Sequence, residues 1–290
     1  MVIKKKGALR SKGACGTLYV VATPIGNLAD ITQRAIATLQ SVDAILAEDT
    51  RHSKLLLRAL DIEKPLFAVH AHNEAQCSAG WIARLEQGES FALISDAGTP
   101  LISDPGHVLV KAAHQAGILV VPIPGACALI TALCASGLPA QRFSFEGFLP
   151  AKSGERKTCL QALSEDTRTL LFYEAPHRIL ASLNDMRVVF GGERPATLGR
   201  ELTKQFETIK LGTLEALYQF CIGDANQQKG EMVVLVAGKS REAIAQEALS
   251  PAAIKTLELL LAALPANQAV RLAAQITGEK KNRLYTYYLD

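Results

Sequence analysis

The chain has 290 residues, of which 49% are hydrophobic and 20% charged, and it carries a net charge of +3. That composition excludes a disordered or fibrous chain, and the length suits two domains better than one small core. A charge so close to balance selects no partner, and no run of about 18 apolar residues is present to cross a membrane.

Residues 1–15 hold Lys4, Lys5, Lys6, Arg10 and Lys12 with little apolar content. They read as a solvated basic tail, without the hydrophobic segment of a secretory signal. Strand-like and helix-like segments then alternate, the signature of a parallel sheet. "TLYVVATP" (17–24) is the first strand, followed by a helix over 31–39 with Asp30 and Gln33 as its capping box. "DAILA" (43–47) is the second, and Thr50 opens the helix "RHSKLLLRAL". "PLFAV" (65–69) is the third, and Asn73 with Gln76 caps a helix ending at Gly88. "FALIS" (91–95) is the fourth; it runs into the loop "SDAGTPLISDPG", and Pro105 and Gly106 lead to a helix that stops at Gly117. "ILVVPIP" (118–124) is the fifth. Strands so uniformly apolar are expected to be covered on both faces.

The second half differs in grain. "GLPAQRFSFEGFLPAKS" (137–153) shows no helical period and reads as a crossover. Strands are predicted at "TLLFYEA" (169–175), "ATLGREL" (196–202), "FETIKLG" (206–212) and "GEMVVLVAG" (230–238), with helices starting at Pro176 and near 213–222. The short spacing over 196–212 indicates a partly antiparallel sheet. Beyond Gly238 the sequence turns rich in Ala and Leu, with helices expected at 251–263 and 267–275. The fold class is therefore α/β, with an N-terminal domain over 16–125, a C-terminal domain over 126–238 and a helical extension over 239–290. The six cysteines, at 15, 77, 127, 134, 159 and 221, form no CxxC or CxxH pair. No metal site or disulfide framework is signalled; they read as buried, reduced thiols in the cytoplasm.

In open parallel sheets, ligands bind where the strands end. The loops after strands one, two, four and five are "TPIGNLAD", "AEDTRHS", "SDAGTPLISDPG" and "PGACALITA". All are small or polar. None contains GxGxxG or GxxxxGK[ST], so a phosphate cradle is not signalled and a nucleotide-dependent oxidoreductase fits poorly. Gly26 and Gly98 would let backbone come close to a ligand.

"TPIGNLADIT", "AEDTRHS", "SDAGTPLISDPG", "PGACALITALCASGLP", "YEAPHR", "REL" and "GEM" stand in the order and spacing of the tetrapyrrole-methylase superfamily. The chain resembles its ribosomal RNA branch over about residues 16 to 238, and the terminal "KKNRLY" is similar too. The resemblance implies two α/β domains, a parallel and a mixed sheet with a cleft between them, and S-adenosylmethionine as cofactor. It further implies a homodimer that methylates the 2′-oxygen of a cytidine in small-subunit ribosomal RNA, free or in the subunit. Carried onto this sequence, the family pattern places cofactor contacts at Pro24, Gly26, Gly98, Thr99, Ile102, Cys127, Ala128, Glu174 and Met232.

The proton acceptor for the ribose hydroxyl is sought among polar residues at strand ends, with Asp49, Arg51, Glu201 and Lys204 as the catalytic candidates. Glu48 beside Asp49 could raise one carboxyl pKa by repulsion. Arg51, Arg178 and Arg200 offer planar forks for phosphate. Candidate RNA contacts are Lys152, Arg156 and Lys157 of "KSGERK", Arg178, and Lys280, Lys281 and Arg283 beside Tyr285, Tyr287 and Tyr288. The last stretch also reads as a helix, a turn at Thr277-Gly278 and a second helix, which could equally dock Leu284 and Tyr288 on a core. Two other readings stay open: a small-molecule tetrapyrrole-type methylase, and an RNA-binding assembly factor with an inactive cleft.

Overall fold

The computed structural model describes residues 15–240 and 249–289, so most of the expected basic tail lies outside it. Ten strands form two five-stranded sheets, and eleven α-helices are present among the described residues. The first sheet contains β1 (Thr17–Val21), β2 (Ala44–Ala47), β3 (Leu66–Ala68), β4 (Phe91–Ile94) and β5 (Leu119–Ile123), in the order β3-β2-β4-β1-β5. Every pairing in it is parallel. Between its strands run α1 (Gln33–Ser41), α2 (Thr50–Ala59), α3 (Glu74–Glu86) and α4 (His107–Gln115).

Coverage of this sheet depends on strand position. All residues of β2 and β4 are buried, but the edge strands are not: Leu119 at the start of β5 is 62% exposed. Apolar composition alone could not say which strands lie at the edge. The capping prediction for α1 also needs correction. Asp30 closes a short 3-10 turn, and Thr32 is the cap, its hydroxyl accepting from the Ala35 amide at 3.0 Å. Asn73 precedes α3 but gives the helix no side-chain cap; its carboxamide bonds back to His70 and Ala68 instead.

The second sheet is built from β6 (Phe143–Phe148), β7 (Thr169–Glu174), β8 (Pro195–Arg200), β9 (Thr208–Thr213) and β10 (Met232–Val236), ordered β6-β7-β10-β8-β9. β6 and β7 are parallel and the other pairs antiparallel. Strand β6 lies inside the segment read as a crossover. Gly147 and a register shift between Phe145 and Gly147 break its alternation, and this hid the strand. The connecting helices are α5 (Ala128–Ala135), α6 (Ser153–Ala162), α7 (Ile179–Phe190) and α8 (Leu214–Gly223).

Period-two alternation sorts the core of this sheet. Leu170, Phe172, Val234 and Val236 face a cluster with α7 and α8, while Leu171, Val233 and Leu235 face a second cluster containing Ile25, Leu129 and Leu202. That second cluster joins the loop after β1 and helix α5 to the mixed sheet, so both sheets fall in one compact unit. Residues Glu165–Thr167 and Gly238–Asp290 form the other unit. Its helices are α9 (Pro251–Leu261), α10 (Ala266–Thr277) and α11 (Lys281–Leu289), packed around Leu249, Leu257, Val270 and Leu284. Gly278, in the left-handed region, makes the predicted turn between α10 and α11. Leu284 is buried there as one reading expected, but Tyr288 is 46% exposed.

Candidate functional site

The chain leaves β1 for β2 on one side and β4 for β5 on the other, so a crevice opens at the carboxyl ends of these neighbours. Thr23 and Gly98 zip the two loops together, each amide donating to the other's carbonyl at 2.8 and 3.1 Å. Gly98 holds φ +80°, a conformation natural to glycine, and a Cβ there would lie 3.2 Å from Ile25 Cγ2. The Thr99 hydroxyl donates to the Ala126 carbonyl at 3.0 Å, tying this loop to the one after β5. Gly98 is thus a buckle between loops. Its amide is committed to Thr23.

These loops and the ends of β7 and β10 enclose a cavity of about 360 Å³. That is in the range of small-molecule sites. Its walls include Gly98, Thr99, Ile102, Cys127, Ala128, Glu174 and Met232, seven of the nine predicted cofactor residues. Met232 and Glu174 are register partners across β10 and β7, which is why residues so distant in sequence share a wall. The other two stand outside the lining. Ile25 lines the cavity in place of Pro24, and Gly26 is covered by Lys204, whose Cγ would lie 2.3 Å from a Cβ at that position. Glu174 is a wall, not a free carboxylate. Its side chain has no exposure, and it accepts from the Ala175 amide, from Arg178 at 2.7 Å and from the Ser182 hydroxyl.

The sequence reading missed Ser103, Asp104, Phe148, Tyr173, Leu202 and Glu231, which also line the cavity. Asp104 and Glu231 lie within the family motifs, where their neighbours fit the cofactor pattern better. Tyr173 opens the motif "YEAPHR", but its place in the wall depends on a contact the motif does not show: the Leu129 amide donates to its hydroxyl at 3.2 Å. Among the described lining residues are three carboxylates, Asp104, Glu174 and Glu231, and no Lys, Arg or His. Burial raises the Asp104 carboxyl above the usual aspartate range and Asp96 adds to this, although a Ser95 hydrogen bond opposes them. Burial likewise raises Glu48, aided by Asp104 and Asp96; adjacent Asp49 is a lesser influence, so the expected neighbour repulsion is only a small part of it.

The four catalytic candidates fall into two pairs. Asp49 caps α2 and holds Arg51 at 2.8 Å; hydrogen bonds from that guanidinium and from the Arg51 amide lower the Asp49 carboxyl to about 2. Its own amide donates to Asp96 at 3.1 Å, joining the second loop to the fourth. Glu201 and Lys204 follow β8. The Lys204 ammonium bridges Glu201 and Glu231, each at 2.9 Å, and the Glu231 amide donates to Glu201. Burial works against both ions, but the contact holds Glu201 below and Lys204 above their ordinary values. Leu101, Ser103, Glu201 and Thr203, four of the five non-glycine residues with positive φ among those described, flank this cleft. Such conformations concentrate at functional sites because surrounding structure must hold them.

Several RNA candidates are spent internally. Arg156 is 3% exposed and clamped by Asp185 at 2.7 Å, with the Pro150 and Ala151 carbonyls completing its partners, so it cannot meet phosphate. Lys157 sits 3.5 Å from the same Asp185, and Lys152 pairs with Glu155 at 3.2 Å. Arg178 is bound to Glu174, and Arg200 is held by Gln227, Lys229, Phe206 and Thr208. In the helical unit Lys280 and Lys281 are exposed and Arg283 pairs with Glu279 at 2.6 Å. The sequence could not reveal these partners, which lie up to 29 positions away. The cysteine reading also changes: only Cys221 is buried, whereas Cys15 and Cys134 are exposed. No metal-binding cluster occurs among the described residues, and no described helix is long and apolar enough to cross a membrane.

Residues 17–218 match the family of Tetrapyrrole (Corrin/Porphyrin) Methylases, and residues 247–290 match the RsmI C-terminal HTH domain. The ribosomal RNA small subunit methyltransferase I of Pseudomonas aeruginosa is 57% identical over 96% of this chain and 98% of its own length. The protein of that name from Escherichia coli O157:H7 is 53% identical over 95% of both. Among solved structures, the uroporphyrin-III-C-methyltransferase of Thermus thermophilus superposes with a TM-score of 0.55 at 24% identity, covering 77% of this chain and 94% of that one. The methyltransferase CobJ gives 0.57 at 17%, covering 81% and 98%. These two likenesses establish the fold. The chain belongs to the tetrapyrrole methylases, methyltransferases that draw on S-adenosylmethionine.

Proposed function

We propose that this protein methylates the 2′-hydroxyl of a cytidine in small-subunit ribosomal RNA, as a homodimer in the cytoplasm. The RNA half of this reading is supported by near full-length relatives named ribosomal RNA small subunit methyltransferases and by the match at residues 247–290. The observation that carries the donor half is the cavity's charge. The described lining holds no cation, and of its carboxylates Glu174 is bound by Arg178 and Glu231 by Lys204, while Asp104 has no ion-pair partner among the described residues. This favours a positively charged ligand and disfavours a phosphate. S-adenosylmethionine supplies a methyl on a cationic sulfur, which departs as a neutral thioether. The residues fit that group: Gly98, Thr99, Ile102, Cys127, Ala128 and Met232 would hold its body, and Asp104 is the carboxylate available to its charge.

The chain's own contribution is alignment and removal of a proton. Stiff loops, buckled at Gly98 and Thr99, fix the donor wall, and alignment of two reactants is worth roughly 7–11 kcal/mol. Asp49, at about 2, is a poor proton acceptor near neutrality, so its part is to hold Arg51. Glu231 is the member of the Glu201–Lys204–Glu231 group that reaches the cavity, and we assign it the hydroxyl proton. Glu201 and Lys204 position it, the Lys204 ammonium holding both carboxylates at 2.9 Å. Glu231→Gln should lower kcat about 100-fold or more while S-adenosylmethionine affinity stays within twofold. Mapping 2′-O-methyl marks in ribosomal RNA from a strain lacking the gene tests the whole reading. Loss of one small-subunit mark supports it, and survival of every mark rejects it.

A further inference from the structure

A second concavity, of about 830 Å³, runs along α2 to the start of β3. Its polar rim carries Arg51, Lys54, Arg58 and Lys64 against one acid, Glu63, over a floor that includes Leu57 and Ile62. Residues 51, 54 and 58 follow a spacing of three and four along α2, which places them on one face of the helix, spread over roughly 10 Å. No ion pair among the described residues involves Lys54, Arg58 or Lys64, whereas Arg51 is paired with Asp49. By contrast, Arg156 and Lys157 share Asp185 and Lys152 meets Glu155. The fold thus partly neutralises the basic stretch that is conspicuous in the sequence, two carboxylates meeting its three cations, and leaves Lys54 and Arg58 of α2 without an ion pair among the described residues.

The groove begins at the cleft. Asp49 caps α2, donates its amide to Asp96 in the loop after β4, and holds Arg51 at the groove's lip. We propose that this groove seats the phosphodiester backbone of the RNA strand whose ribose enters the cleft, a proposal that rests on the functional reading above. The lining has no aromatic ring for stacking and no Asn or Gln to read a base edge. Contacts here therefore position the strand without selecting its sequence. Choice of nucleotide falls to the cleft.

The test is a triple substitution, Lys54→Ala with Arg58→Ala and Lys64→Ala, none of them in the catalytic group. Binding and methylation are measured on naked small-subunit ribosomal RNA and on subunits from a strain lacking the gene, across a range of salt. S-adenosylmethionine affinity and melting temperature of the variant report an intact cleft and fold. Charge reversal, Lys54→Glu with Arg58→Glu, provides a second variant. The expected result is at least tenfold weaker RNA binding and a salt dependence shallower by about two, given roughly 0.7 for each phosphate that a cation neutralises on a single strand. Unchanged RNA affinity and salt slope in both variants would overturn the groove while leaving the functional reading standing. Normal binding to naked RNA with weakened binding to subunits would assign the groove to an acidic ribosomal protein and also overturn it. Wild-type protein that transfers no methyl to either substrate would remove the functional reading and the groove together.

Discussion

Asp104 illustrates how a single side chain can encode ligand charge. Its carboxyl is raised chiefly by burial, so the folded protein holds that proton more tightly than the unfolded chain does. The ionised form therefore destabilises the empty protein at pH values above the raised pKa, and this penalty disappears as pH falls through it. A cationic ligand reverses the preference, because it favours the ionised carboxylate. We expect S-adenosylmethionine affinity to weaken as pH drops into a range where an ordinary aspartate would still be charged. Asp104→Asn should weaken binding by about tenfold, roughly 1.4 kcal/mol, and flatten that pH dependence. Titrations at several pH values check both; an Asn variant with wild-type affinity would show that the carboxylate does not face the donor.

Arg156 makes the opposite point about reading charges from sequence. It lies in a basic run, yet its guanidinium is buried against Asp185. Asp185→Ala should destabilise the protein by about 3–5 kcal/mol, since an uncompensated buried cation remains. Denaturant unfolding measures this. Combining it with Arg156→Met should recover much of the loss, and RNA affinity of the folded double variant should match wild type.

At the scale of elements, the strands of the parallel sheet were legible because their apolar runs are bounded by turn residues. Their placement was not, since strand order depends on crossovers that leave no local mark. Exact caps were harder to read than helices: Thr50 was read as opening α2 but Asp49 caps it, and Asp30 and Thr32 compete before α1, where Thr32 captures the free amide. Strand β6 was hidden by its bulge, and α5 and α6 by apolar or mixed sequence without a clear stripe. The donor wall was readable as loops, yet the bonds among them were not. Gly98→Val tests that wall. A β-branched residue at φ +80° and a contact near 3.2 Å with Ile25 should cost about 1–3 kcal/mol of stability and abolish donor binding. A folded variant with normal affinity would contradict the buckle.

For the whole molecule, the α/β class and the partly antiparallel second sheet followed from spacing, because alternation and short connections restrict topology. The motif loops were legible, and seven of the nine positions taken from the family pattern line one cavity. What escaped the sequence was electrostatic: which cations the fold consumes, which it leaves free along α2, and the absence of any cation from the described lining. That last feature separates a sulfonium site from a phosphate site. It is tested most directly by calorimetric titration of the purified protein with S-adenosylmethionine, its demethylated product and a dinucleotide such as NAD. We expect saturable heat with the first two, a stronger pH dependence for the cationic donor than for the neutral thioether, and none with the dinucleotide. Heat with the dinucleotide alone would contradict the claim.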